Sequence, residues 1–270
     1  MTDTTHKTYW DDDFYTLAHL ANERREALHG NKTYYVKNLH IDYSNICSLN
    51  CDFCAFSRHK GDEQAFELTV DQILSCIRSN LVYGITEVHI VGGLHPTLPY
   101  EYYTTLLRSI HTEFPALHIK ALGAIEIDFI AKKFSKSGKE VLGEFKSCGL
   151  SMLPGGGAEI LVDSVREKLC PAKGPSKIWL NVHRIAHKLG IKTNATMLYG
   201  HIETLEDRIS HMDQLRKLQD ETGGFYSFVP LKFHPHGTRF SHLQPTSAYE
   251  DLRTNAISRI FLDNITHVKA

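Results

Sequence analysis

The 270-residue chain has no surplus charge of either sign: 30 Lys+Arg stand against 31 Asp+Glu, a formal net charge of -1. So close a balance gives no global field for a nucleic acid and no basic tail for a membrane surface. Long apolar runs are also lacking, and none approaches the roughly 20 residues that cross a bilayer. Membrane insertion is therefore not expected. Met1–Trp10 is polar, without the apolar stretch of a secretory signal. Cysteine is sparse, six residues in all, too few for a disulfide scaffold. A reducing cytoplasm is the expected compartment. Low-complexity tracts are absent. The G-x-G-x-x-G fingerprint of dinucleotide-binding sheets does not follow the first expected strand. What is present is a hydrophobic fraction of 42% with 23% charged residues. That is ample for the core of one large α/β domain or two small ones.

One pattern recurs along the chain. A helical stretch closes on glycine and a short apolar run follows, at Gly84, Gly149, Gly190 and Gly223. Glycine just past a helix supplies the left-handed residue that turns the chain into a strand. Two further strands are expected at Tyr34–Tyr43 and Leu117–Ile127. Helix starts are readable between them. Thr69 with Gln72 forms a capping box, Pro99 and Pro175-Ser176 open helices, and Thr204 precedes an acidic first turn at Glu206-Asp207. A last helix is expected near 247–264, and an extra one at Asp11–Leu28, closed by Gly30. The expected organisation is an N-terminal helical extension over 1–33 and a barrel over 34–270. Strand then helix, six times over, predicts a parallel sheet with right-handed crossovers. Six units in this length fit a TIM-type (β/α) barrel, complete or partial. A flat doubly wound sheet is the alternative.

The first strand leads into Cys47-Ser-Leu-Asn-Cys51-Asp-Phe-Cys54. In a parallel barrel, the loop after a strand lies on the active face. Three thiolates on one short loop can hold three irons of a cubane cluster and leave the fourth iron open. A catalytic metal centre needs such an opening and a structural one avoids it. The rival is a zinc site completed by His59 or a remote side chain, although zinc loops usually pair two C-x2-C knuckles. Cys76, Cys148 and Cys170 carry no motif and read as core or surface thiols.

The C-x3-C-x2-C spacing, with Phe53 before the third cysteine, resembles the radical S-adenosylmethionine (SAM) superfamily. Five ordered blocks add to it: Cys51–Asp62 (CDFCAFSRHKGD), Val88–Pro96 (VHIVGGLHP), Leu153–Ile160 (LPGGGAEI), Thr193–Thr204 (TNATMLYGHIET) and Leu218–Phe225 (LQDETGGF). Together they are similar to the aminofutalosine synthases of menaquinone biosynthesis, from about residue 30 to the end. The cysteine and PGGGAEI blocks are shared with the dehypoxanthine futalosine cyclases and the deazaflavin-precursor synthases. GGLHP and DETGGF favour the aminofutalosine synthases.

The resemblance implies a radical SAM barrel in which Cys47, Cys51 and Cys54 hold a [4Fe-4S] cluster whose open iron takes the amino and carboxylate groups of SAM. It implies an enzyme that adds the 5′-deoxyadenosyl radical to the enol ether of 3-[(1-carboxyvinyl)oxy]benzoate, giving 6-amino-6-deoxyfutalosine. Its partners would be that dicarboxylate and an external one-electron donor of flavodoxin or ferredoxin type. Phe53, Gly92, Gly93, Glu126, Glu159 and Arg166 are the candidate SAM-binding residues. Glu159 is equally placed to satisfy a helix N-terminus, and Arg166 to be an exposed helix charge. His95, His201 and His234, with Arg239, lie near strand ends where they would meet carboxylates or move a proton. His234-Pro-His236 also looks like a metal pair, but no carboxylate lies near it in sequence. Family members usually run roughly a hundred residues further, so the resemblance implies a partial barrel of about six βα units. A module that binds a metal or cluster without turnover is the reading of another class.

Overall fold

Parallel strands must be joined by crossovers, and the helix-ending glycines set where each crossover returns. Gly84, Gly149, Gly190 and Gly223 all adopt positive φ. The structure, a computed structural model, describes residues 13–269. Met1–Trp10 and the expected helix start at Asp11 lie outside the described residues. Seven strands follow: β1 (Asn38–Asp42), β2 (Glu87–Val91), β3 (His118–Ala121), β4 (Met152–Leu153), β5 (Lys192–Tyr199), β6 (Phe225–Lys232) and β7 (His267–Val268). They pair in parallel in sequence order, from β1 to β7. The result is a partial TIM-type barrel. A short seventh strand joins the six units expected.

The helices are α1 (Phe14–His29), α2 (Val70–Asn80), α3 (Tyr100–Glu113), α4 (Ala124–Lys133), α5 (Gly138–Ser147), α6 (Asp163–Leu169), α7 (Ser176–Lys188), α8 (Leu205–Thr222) and α9 (Ala248–Phe261). The Thr69–Gln72 capping box opens α2, and a Thr204–Asp207 box opens α8. Among the described residues, no helix is long and apolar enough to cross a membrane. The core lies between strands and helices. Ile41, Val88, Ile90, Ile119, Met197 and Phe228 point outward from the sheet onto Ile73, Leu107, Phe145, Trp179 and Leu215 of the helices.

One expected strand is corrected. Residues 117–127 read as continuous β structure, but β3 stops at Ala121. Leu122 has φ 60°, and Gly123 then caps α4 by donating its N–H to Glu126 Oε2 at 2.7 Å. The apolar residues of 124–130 are a buried helical face, and Glu126 sits in the first turn of a helix. The first strand is also shorter than expected, beginning at Asn38.

Candidate active site

The segment between β1 and α2 is held in shape by its own polar groups. Asn45, buried, donates Nδ2 to Gln64 O (2.9 Å) and accepts from Phe66 N–H (2.8 Å), strapping the two ends of the loop together. Cys47 N–H donates to Arg58 O, and Arg58 N–H to Asn45 O, both at 2.9 Å. Ser48 N–H reaches Leu94 O beyond β2 at 2.9 Å. On this frame Cys47, Cys51 and Cys54, all free thiols, line one cavity of about 470 Å³ at the carboxyl ends of the strands. That volume lies within the range of roughly 300–1,000 Å³ that small-molecule sites occupy.

The donor set fits an iron–sulfur cluster. Leu49 N–H and Leu94 N–H both point at Cys47 Sγ at 3.4 Å. Amide donors of this kind stabilise a thiolate and tune a cluster. Burial pushes the Cys51 thiol up to about 12, so a bound cation is what would draw off its proton. Among the described residues, no three His, Cys, Asp or Glu side chains converge as ligands of a single metal ion. His59, the expected fourth ligand of a zinc site, is exposed and lies outside the lining of the cavity that the three thiols share.

Glycines let backbone close on this wall. A Cβ at Gly93 would stand 2.3 Å from Ile46 O, and one at Gly155 would stand 2.7 Å from Thr196 N. Gly92, Gly93 and residues 155–157 line opposite sides of the cavity with Phe53 and Glu126. The Tyr43 hydroxyl lies 3.1 Å from Gly93 O and 3.0 Å from Glu126 Oε1. Burial pushes the Glu126 carboxyl up to about 8, against the hydrogen bonds from Gly123 and Tyr43.

Two expected SAM-binding residues are placed elsewhere. Glu159 does not line the cavity. It sits at φ 45° and pairs with Lys173, which does line it, and whose ammonium lies 4.9 Å from the Phe53 ring centre. Burial works against the Lys173 charge, but the Glu159 carboxylate holds its pKa above the usual lysine range. Arg166 is neither an exposed charge nor a cavity residue. It is 1% exposed and donates to the carbonyls of Gly174, Ala158 and Ile160 at 3.0, 2.5 and 3.3 Å. It binds the shoulder of the glycine loop. Arg166→Ala would leave those carbonyls unpaired at about 1–3 kcal/mol each. The expected outcome is a loss of roughly 3 kcal/mol or more in chemical denaturation, with cluster binding weakened only as the fold loosens.

The histidines expected to be catalytic also lie outside the cavity lining. His95 is fully buried. Its Nδ1 accepts from Thr97 and Leu98 N–H at 3.2 and 3.1 Å, and Nε2 faces Glu67 at 2.8 Å. Burial lowers its pKa, so it is a neutral loop anchor. His201 Nε2 lies 3.0 Å from Leu198 O, and its Nδ1 lies 2.7 Å from Ile202 N and 2.9 Å from Glu203 Oε2, so the ring is locked into the turn after β5. His234 and His236 are exposed beyond β6. Arg239 pairs with Asp52 at 2.8 Å and donates its N–H to Asp52 O at 3.0 Å, clamping that segment onto the cysteine loop. In their place the cavity is lined by Lys120, Lys173, His89, Asn194, Thr196 and Lys269, none of which was singled out from sequence. The strand residues among them alternate with outward apolar ones, a signal readable in the sequence.

The Radical SAM superfamily model matches residues 41–215. The chain is 46% identical over 265 residues to an aminodeoxyfutalosine synthase of Thermus thermophilus, covering 97% of this chain and 71% of the relative. It is 40% identical over 264 residues to a 5-amino-6-(D-ribitylamino)uracil--L-tyrosine 4-hydroxyphenyl transferase of Methanoculleus marisnigri, covering 96% and 72%. Among solved structures, methylornithine synthase (PylB) shares the fold with a TM-score of 0.77 at 18% identity, over 98% of this chain and 74% of that one.

Proposed function

From the premise that the chain belongs to the radical SAM superfamily, we propose that it joins the 5′-deoxyadenosyl group of SAM to 3-[(1-carboxyvinyl)oxy]benzoate, with release of methionine and loss of the carboxyvinyl carboxylate as carbon dioxide or bicarbonate, yielding 6-amino-6-deoxyfutalosine for menaquinone biosynthesis. It is a SAM-dependent enzyme of [4Fe-4S] type that uses a small-molecule substrate and an external electron donor. When bound, cluster and SAM together supply the adenosyl radical. The chain's residues bind and shield. Cys47, Cys51 and Cys54 would each hold one iron, leaving the fourth for SAM. Gly92 and Gly93 bring backbone to its amino group, and Phe53 packs against its adenine. Glu126 accepts from a ribose hydroxyl, and Lys173 meets its carboxylate. The cavity walls keep water and other hydrogen donors from a species that would react with them.

What carries this reading is the 46% identity to an aminodeoxyfutalosine synthase in a chain whose three thiols share one cavity. The 40% identity to the 4-hydroxyphenyl transferase supports the second reading, a deazaflavin-precursor synthase. A flavodoxin- or ferredoxin-like donor and a cytoplasmic setting suit reduced thiols and a low-potential cluster. The test is anaerobic reconstitution with iron and sulfide, then reduction with dithionite in the presence of SAM and, in parallel reactions, the enol-ether dicarboxylate, dehypoxanthine futalosine, or tyrosine with 5-amino-6-(D-ribitylamino)uracil, followed by mass spectrometry of the products. The expected product has the adenosyl carbon bonded to the benzoate skeleton. Free 5′-deoxyadenosine with a cyclised nucleoside would point to the cyclase. A tyrosine-derived adduct of the ribitylaminouracil would point to the transferase.

A further inference from the structure

We infer that Lys120 and Lys269, at the floor of the barrel lumen, form a seat for one carboxylate of the substrate and select for anionic substrates, an inference that rests on the function proposed above. A TIM-type lumen is ordinarily filled by layers of branched apolar side chains. Here the inward positions Asn38, His89, Lys120 and Asn194 are polar, and with Lys269 they line the same cavity as the three thiols. His89 and Lys120 are direct cross-strand partners on β2 and β3, so their side chains stand beside each other.

The charges at this floor do not balance. Lys120, 3% exposed, donates one of its three N–H bonds to Glu87 Oε1 at 2.5 Å. Lys269 follows β7 and is fixed by its own N–H to Phe228 O at 2.9 Å. Its half-buried ammonium has no hydrogen-bond or ion-pair partner among the described residues. Among the described residues, two ammonium groups therefore face one carboxylate. Burial, together with the charge of Lys120, lowers the pKa of Lys269. Burying an unpaired charge is unfavourable unless a counter-ion arrives. The remaining groups are donors as well. Burial brings His89 down to about 4, so it is neutral and presents an N–H. The Asn194 carbonyl already accepts from Ser227 at 2.8 Å, which leaves its NH₂ for a ligand. His40 stacks edge-on to His89, and His118 faces Glu87 at 3.6 Å, so both belong to the surrounding shell. Among the described residues, Glu87 is the sole carboxylate set against Lys120 and Lys269. Burial opposes its ionisation, but His118 and Lys120 outweigh that and hold it near 2, so it stays charged and cannot itself take up a proton in place of an incoming anion.

The test compares Lys269→Met and the double variant Glu87→Gln/Lys120→Met, which avoids stranding Glu87, with the unaltered reconstituted enzyme. Two probes are used: the enol-ether dicarboxylate, and its ester masked at the benzoate carboxyl. Isophthalate binding is measured alongside by calorimetry. For each variant, the expected result is unchanged iron content and unchanged SAM cleavage without substrate. KM for the diacid rises about tenfold to a hundredfold, the scale of one charge-assisted hydrogen bond. The penalty for the ester relative to the diacid, large in the unaltered enzyme, shrinks by the same factor. Lys269→Met is also expected to melt no lower than the parent, since it removes an unpaired charge; a purely structural lysine would leave KM unmoved. An unchanged diacid-to-ester ratio in both variants overturns the inference. If no adenosyl adduct forms but isophthalate binds and loses affinity in the variants, the proposed reaction falls and the seat stands. If isophthalate does not bind either, both fall.

Discussion

Replacing Cys51 with alanine is expected to abolish iron retention and SAM cleavage while leaving the fold in place. Each thiol on the loop serves one iron, and two thiolates cannot hold a cubane against solvent and chelators. Cys51 is 8% exposed and packs on Leu169 and Cys170, so the alanine variant loses a sulfur and little contact area. After anaerobic reconstitution, iron and sulfide per chain should fall to background, together with the visible charge-transfer absorption. Methionine release from SAM under dithionite should match that of iron-free protein. Cys76→Ala is the control. Cys76 lies half-buried on α2 outside the cavity lining, and its loss should change neither reading. Iron-replete Cys51→Ala protein that still cleaves SAM would contradict the assignment of the loop.

Glu126→Gln should flatten the pH dependence of stability across the neutral range. The folded carboxyl titrates near 8 because it is buried, against 4.5 for an unperturbed glutamate. Between those values the folded chain keeps the proton and the unfolded chain releases it. Unfolding therefore expels a proton, and stability declines as pH rises from about 4.5 toward 8, then levels off. The slope from this one group is at most about 1.4 kcal/mol per pH unit. Denaturation midpoints measured at several pH values should show the parent losing stability relative to the glutamine variant as pH rises from about 4.5 to 8, because the buried histidines, which act in the opposite sense below about 6.5, are common to both. Glutamine still accepts from Gly123 N–H, so the cap of α4 survives the substitution. A parent-minus-variant difference that stays flat from pH 5 to 8 would mean that the carboxyl is ionised throughout, held so by Gly123 and Tyr43.

The elements legible in the sequence were those with a local chemical cause. The Thr69–Gln72 box, the helix-closing glycines and the cysteine spacing each act within a few residues, and each stands in the structure where it was read. The end of β3 was missed because hydrophobicity alone does not separate a strand from a buried helix face in Ala121–Ile127. The available sign was Gly123 with Glu126 three residues on, the half of a capping box in which the Glu carboxylate accepts from the N-cap N–H. The histidines mark a different limit. A position near a strand end places the backbone of His95 or His201 close to the cavity but leaves the side-chain direction open. Neighbouring amides, Thr97 and Leu98 for one and Ile202 for the other, captured the rings instead. Arg166 was misplaced for the same reason, since free carbonyls of the glycine loop nearby claimed its guanidinium. Lys120 and His89 were within reach. Polar residues at every second position of a strand buried on both faces are costly unless something polar meets them.

The Asn45 strap and the backbone bonds from Cys47 and Ser48 have a consequence for how the cysteine loop is ordered. Small zinc modules collapse when stripped because the ion is their folding energy. Here Asn45 and the backbone bonds tie the two ends of the loop to each other and to the residues after β2, so part of the ordering entropy of the three thiols is met by hydrogen bonds within the chain.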